Sequence, residues 1–148
     1  MNTLKKIGLL LIYTLSCSIG YCQQGIGKFC VEAEPLCGSS QFSYPNTSGF
    51  NLAENAPDYG CLILQLNPSW FYLQIAQDGD IELKIEQSTT SGGFPDLDVD
   101  FIAYGPFTEP RSACAQDLTA FNIVDCSYKL DFVEFANFTS TKAGEYYL

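Results

Sequence analysis

In the stretch "PSWFYLQIAQDGDIELKIEQSTTSGG", apolar residues recur at every second position on both sides of a short polar turn. Phe71, Leu73 and Ile75 alternate with Tyr72 and Gln74; Ile81, Leu83 and Ile85 alternate with Glu82, Lys84 and Glu86. A period of two belongs to a strand with one buried face and one wet face. Asp78, Gly79 and Asp80 have the chemistry of a tight turn. The pattern therefore predicts two antiparallel strands, 71–75 and 81–85, paired as a hairpin.

The same reading extends along the chain. "FPDLDVDFIAYGPF" sets Asp96, Asp98 and Asp100 between Leu97, Val99 and Phe101 and predicts a third strand, stopped by Gly105-Pro106. "LDFVEFANF" predicts another strand, and "GEYYL" starts one more. No stretch beyond the first residues carries a helical apolar period of useful length. Residues 31–60 are rich in Pro, Asn, Ser and Gly, which predicts irregular structure pinned by disulfides. The fold class expected is all-β: an antiparallel, jelly-roll-like β-sandwich in one domain.

The chain begins "MNTLKKIGLLLIYTLSCSIGYCQQG". Lys5 and Lys6, a short apolar run and small residues after it form the layout of a secretory signal peptide, residues 1–22, with Gly20 and Cys22 before the cut. A lipid-modified Cys17 or Cys22 is the competing reading, opposed by Tyr21 at the position before Cys22. The apolar run is far short of the roughly 20 residues of a membrane span, so no membrane insertion is expected once the leader is gone. The domain would then be 23–148, secreted or held at the outer cell surface. It would carry five basic against 17 acidic residues, a formal charge of −12. Such a chain repels nucleic acid and anionic lipid.

Export also makes the cysteines disulfide candidates. Cys114 and Cys126 bracket "CAQDLTAFNIVDC" and form the first expected bridge; two of Cys30, Cys37 and Cys61 form the second, leaving one over. The lack of any His or CxxC spacing argues against zinc.

"PSWFYLQIAQDGDIELKI", "DLDVDFIAYG" and "AGEYYL", in that order, resemble the bacterial pre-peptidase C-terminal type of β-sandwich. "CVEAEPLCGSSQFSYPNTSG", "PDYGC" and "PSWFYLQI" are similar to an N-terminal domain of Bacteroidetes surface proteins exported by the type IX secretion system. The resemblance covers most of residues 23–148. It implies a non-catalytic module for adhesion or display, with a surface protein or glycan as partner. Because the chain stops at Leu148, inside the Tyr-Tyr strand, the resemblance also implies that the last strand of the sandwich is missing.

Three readings compete for the aspartates. In the resembled domains the Asp-x-Asp strand is where calcium binds, and Asp98 and Asp100 match it. Asp96 to Asp100 spans about 13 Å on a straight strand, while calcium oxygens lie about 2.3–2.6 Å from the ion. Further ligands would therefore come from a neighbouring loop, with Asp78, Asp80, Asp58 and backbone carbonyls as the candidates and calcium as the one expected cofactor. The second reading is a solvated strand face, its like charges relieved by Lys84 or Arg111. The third is a glycan hydrolase using Asp96 and Asp100; retaining chemistry needs carboxyls about 5–5.5 Å apart. Without His, a Ser or Cys triad lacks its usual base.

Trp70, on the same strand face as Tyr72 and opposite the apolar stripe, invites a carbohydrate-binding reading in which Trp70 and Tyr72 stack on sugar rings. The competing reading has Trp70 covering a second core layer.

Overall fold

The structure is a computed structural model that describes residues 27–36, 41–46, 49–55 and 57–148. The expected leader at 1–22, the residues just after it and Cys37 lie outside the described residues. Among the described residues there are seven strands: β1 (Glu34–Pro35), β2 (Phe71–Gln74), β3 (Gly79–Glu86), β4 (Phe101–Tyr104), β5 (Ile123–Ser127), β6 (Val133–Thr141) and β7 (Tyr146–Tyr147). Three short 3₁₀ turns, at Cys30–Glu32, Ser112–Ala115 and Ala120–Asn122, are the only helical elements among the described residues. No helix of the described residues is long and apolar enough to cross a membrane.

The strands form small sheets, mostly antiparallel. β7 lies between β2 and the end of β4. It pairs with β2 through Leu73 and Gln74, and Tyr104 and Leu148 exchange main-chain hydrogen bonds of 2.8 and 2.9 Å. Phe107 and Tyr146 exchange another pair. Main-chain bonding is thus continuous from β1 through β2, β7 and β4 to β5, and only the short β1 runs parallel to its neighbour. β3 and β6 form a separate two-stranded ladder.

Packing on both faces of the central strands explains their composition. One face carries Leu73, Ile75, Phe101, Ala103 and Tyr147 against Ile81, Leu83, Ile85, Ala136 and Phe138 of the β3–β6 ladder. The other carries Trp70, Tyr72, Ile102, Tyr104 and Leu148 against the segments around Cys30, Tyr59 and Ala113. A strand covered on both sides needs apolar side chains on both, which is why "FIAY" and "WFYL" are apolar throughout. β3, wet on one face, keeps strict alternation.

This arrangement corrects the hairpin expected at 71–85. β2 and β3 are consecutive but do not pair; Leu73 and Ile75 meet Ile81, Leu83 and Ile85 across the core between layers. Alternation identified the buried face of each strand but carries no information on which edge bonds to which neighbour. The third expected strand also begins late. Residues 96–100 run outside the ladder apart from one Gln87–Leu97 bridge, and β4 starts at Phe101.

Both expected disulfides are corrected. Among the described residues the bridges are Cys30–Cys114 and Cys61–Cys126, with Cα–Cα separations of 5.5 and 6.1 Å. β5, missed in the sequence because "NIVDC" is short and interrupted by Asp125, holds Cys126 opposite Ile102 on the ladder, on the face covered by the loop of Cys61. Cys114 sits instead on the 3₁₀ turn above Cys30. Cysteines close in sequence were placed on different elements, so proximity along the chain misled.

Candidate functional site

The five aspartates expected at a calcium centre are not brought together. Asp96 Oδ1 accepts the Thr89 N–H at 2.7 Å and Oδ2 accepts the Thr89 hydroxyl at 2.6 Å; these bonds hold its carboxyl below the usual range. Asp78 accepts the Ala143 N–H at 3.0 Å and pairs with Lys142 at 3.1 Å, which lowers it likewise. Asp80 accepts the Ser140 N–H at 2.7 Å. Asp98 and Asp100 remain, exposed before β4. Desolvation, then the charges of Asp98 and Glu134, push Asp100 up to about 6. Among the described residues no group of three or more His, Cys, Asp or Glu is arranged to hold a metal ion. Calcium takes about six to eight oxygens, and three of the five aspartates spend theirs on neighbouring N–H and hydroxyl groups.

Trp70 is 6 % exposed, with its ring centroid 6.0 Å from that of Tyr104 and 6.5 Å from that of Tyr59. It packs in the second core layer and offers no face to a sugar. Tyr72 is half-buried against Tyr146. The reason is the two-sided burial of β2, the second core layer that the competing reading of Trp70 expected.

The structure instead opens a cleft between β5 and β6. These strands are consecutive, antiparallel and joined by a five-residue loop at 128–132, the usual setting for a hairpin ladder. They share no ladder. Asp125 stands between them: Oδ1 accepts the Cys126 N–H at 2.8 Å and Oδ2 accepts the Asn137 N–H at 2.7 Å. Each strand thus bonds a carboxylate where its neighbour's carbonyl would be. Nearer the loop, the Ser127 hydroxyl donates to Glu134 and ties the strands again through side chains.

Beyond Asp125 both strands bulge. β5 holds one residue more than β4 at Val124, and β6 one more than β3 around Thr139 and Ser140. Ser140 has φ 56°, a left-handed conformation that costs a non-glycine residue roughly 1–3 kcal/mol and collects at functional sites. The resulting cleft has a volume of about 270 Å³ and is floored by the buried Phe138 and Tyr147. Val124 and Pro106 give it an apolar wall; Asn137, Thr139 and Ser140 give it a polar one. Glu145 closes one end. Its Oε2 accepts the Lys142 N–H at 2.7 Å and the Tyr147 hydroxyl at 3.0 Å. Burial, and then this carboxylate, push the Tyr147 phenol up to about 12, so it remains a donor.

Sequence reasoning passed over these residues. Asp125 and Glu145 are lone acids in short segments, and only the failure of two neighbouring strands to pair gives them a role. No protein-family model matches the chain, and no curated protein and no solved structure matches it either.

Proposed function

We propose that the chain is an extracellular binding module without catalytic activity of its own, a jelly-roll-like sandwich that serves adhesion or display at the cell surface. The observation that carries this reading is the pair of disulfides, which span 84 and 65 residues and clamp loop segments onto the core; such bonds persist in oxidising compartments. The leader-like residues 1–22 and the acidic balance support it. So do loop tips that offer apolar contact area: Phe94 is 94 % and Leu130 91 % exposed. The resemblance to N-terminal domains of type IX-secreted Bacteroidetes surface proteins agrees with this role.

Expression of the full chain in a Gram-negative host tests it. Protease added to intact cells should digest the chain, and non-reducing peptide maps should recover Cys30–Cys114 and Cys61–Cys126. Cytoplasmic retention with free thiols would refute the reading.

A second reading, carbohydrate binding, is favoured by the cleft between β5 and β6 rather than by Trp70.

A further inference from the structure

A bulge in the β4–β5 ladder, a bulge in the β3–β6 ladder, a left-handed serine and a bridging carboxylate lie together beside two consecutive strands that share no ladder. A lined concavity opens beside them.

We propose that this cleft binds one ring of a neutral sugar, an inference that rests on the extracellular binding role above. The ring's apolar face would lie on Val124 and Pro106, and its hydroxyls would meet Asn137, Thr139, Ser140 and Glu145.

The polar wall has the right chemistry. Among the described residues the side-chain hydroxyls of Thr139 and Ser140 hold no hydrogen bond, and Asn137 uses its Nδ2 on the Phe135 carbonyl at 3.3 Å while its Oδ1 stays free. Both bonds to the Glu145 carboxylate fall on Oε2, leaving Oε1 as an acceptor. Hydroxyls and an amide both donate and accept, as sugar hydroxyls do. Charge decides between sugars: no Lys or Arg lines the cleft and a carboxylate closes it, so uronate or phosphate groups are repelled.

Size decides between one ring and many. About 270 Å³ lies just below the roughly 300–1,000 Å³ of drug-sized pockets. Geometry decides against an extended peptide. A strand added to a sheet edge needs an uninterrupted row of main-chain donors and acceptors, and both strands carry bulges beside the cleft.

The experiment uses the oxidised full chain on an array of neutral sugars, uronate-ended sugars and extended peptides, then calorimetry with glucose, galactose, mannose and xylose. Neutral sugars should bind. Val124→Trp should abolish binding by filling the cleft. Thr139→Val, which removes one hydroxyl at constant shape, should weaken it about tenfold. Val124 and Thr139 are exposed, so both variants should melt within about 2 °C of the parent; if Val124→Trp does not fold, Thr139→Val decides alone. A folded chain that binds no neutral sugar, binds acidic sugars equally, binds peptides only, or keeps its affinity in Thr139→Val overturns the proposal. That failure in a chain that is exported and bridged leaves the extracellular role standing; cytoplasmic retention with free thiols removes both.

Discussion

The Asp125 carboxylate accepts the main-chain N–H of Asn137 at 2.7 Å, so a side chain joins two strands that a backbone ladder would ordinarily join. Its other oxygen accepts the N–H of Cys126 at 2.8 Å, which ties the same group to its own strand. One half-buried residue therefore holds β5 and β6 together and also sets the gap between them.

Removing that carboxylate leaves two strand N–H groups without an acceptor. Hydrogen bonds to charged groups contribute about 1.5–3 kcal/mol each when buried, less where water competes. Asp125→Ala should lower stability by roughly 2–3 kcal/mol, read as a fall in the urea midpoint at unchanged slope. Asp125→Asn keeps one acceptor oxygen and should lose about half as much. Wild-type stability in Asp125→Ala would show that the strands do not depend on this bridge.

Asp100 supplies a pH test. Its carboxyl is pushed up to about 6 by desolvation and by the charges of Asp98 and Glu134, against 3.8 when unperturbed. The folded state thus holds the proton more tightly than the unfolded one between those values. The resulting stability is fully present below pH 3.8 and is lost as pH rises through 6. Asp100→Asn removes the penalty at neutral pH. Discounted for the exposure of the group, the gain should be about 1 kcal/mol at pH 7.5 and should vanish near pH 4. Thermal melts of both proteins across that range measure it, and a gain independent of pH would refute the assignment.

How far these features were legible in the sequence depends on whether they are local. Strand identity was legible at β3, where the apolar face of Ile81, Leu83 and Ile85 is set by period; "LDFVEFANF" was legible as a strand, but its buried face was not, since Phe132, Val133 and Phe135 do not alternate and the residues turned inward are Glu134, Ala136 and Phe138. Of the three readings of Asp96, Asp98 and Asp100, the solvated one agrees with their exposure. Partner choice was not legible. The same alternation in β2 and β3 satisfies a hairpin or two facing layers, and the deciding fact is that Trp70 and Tyr72 also need cover, which only a central strand receives. The disulfides failed for the same reason: Cys126 is positioned by pairing with β4, and Cys61 by a loop over sixty residues earlier. The cleft was hidden altogether, since it arises from the absence of a ladder between β5 and β6.

Gly105 gives a test of the junction between β4 and β7. Its φ is 153°, and a Cβ built there would lie 2.4 Å from Cδ1 of the Tyr147 ring. Tyr147 is packed edge-on to Phe138, with centroids 5.1 Å apart, so the ring has little room to retreat. Gly105→Ala should therefore combine backbone strain with overpacking and destabilise the chain by roughly 2–4 kcal/mol. The cleft floor includes Tyr147 and Phe138, so any surviving protein should also show a changed near-ultraviolet signal from these rings. A variant as stable as the parent would show that the Gly105–Tyr147 approach is looser than described.

The two bridges should contribute unequally to different parts of the molecule although their loops are similar in length. Chain-entropy arguments assign roughly 4 kcal/mol to each closure of this size. Cys30–Cys114 joins elements inside the core of Trp70 and Tyr104, whereas Cys61–Cys126 fastens the loop around Tyr59 to β5. Losing the first should loosen that core throughout, so Cys30→Ser with Cys114→Ser should lower the melting temperature and expose Trp70, seen as a red shift in its fluorescence. Losing the second, by Cys61→Ser with Cys126→Ser, should free the loop while Trp70 stays buried, seen as faster hydrogen exchange in the loop around residues 57–66 with little change in fluorescence. Tyr104 donates its hydroxyl to the Asp58 carbonyl at 2.6 Å and holds the start of that loop independently, which is why the effect should be confined to residues beyond it. If the second pair of substitutions exposes Trp70 as fully as the first, the two bridges act on one cooperative unit and the division drawn here fails.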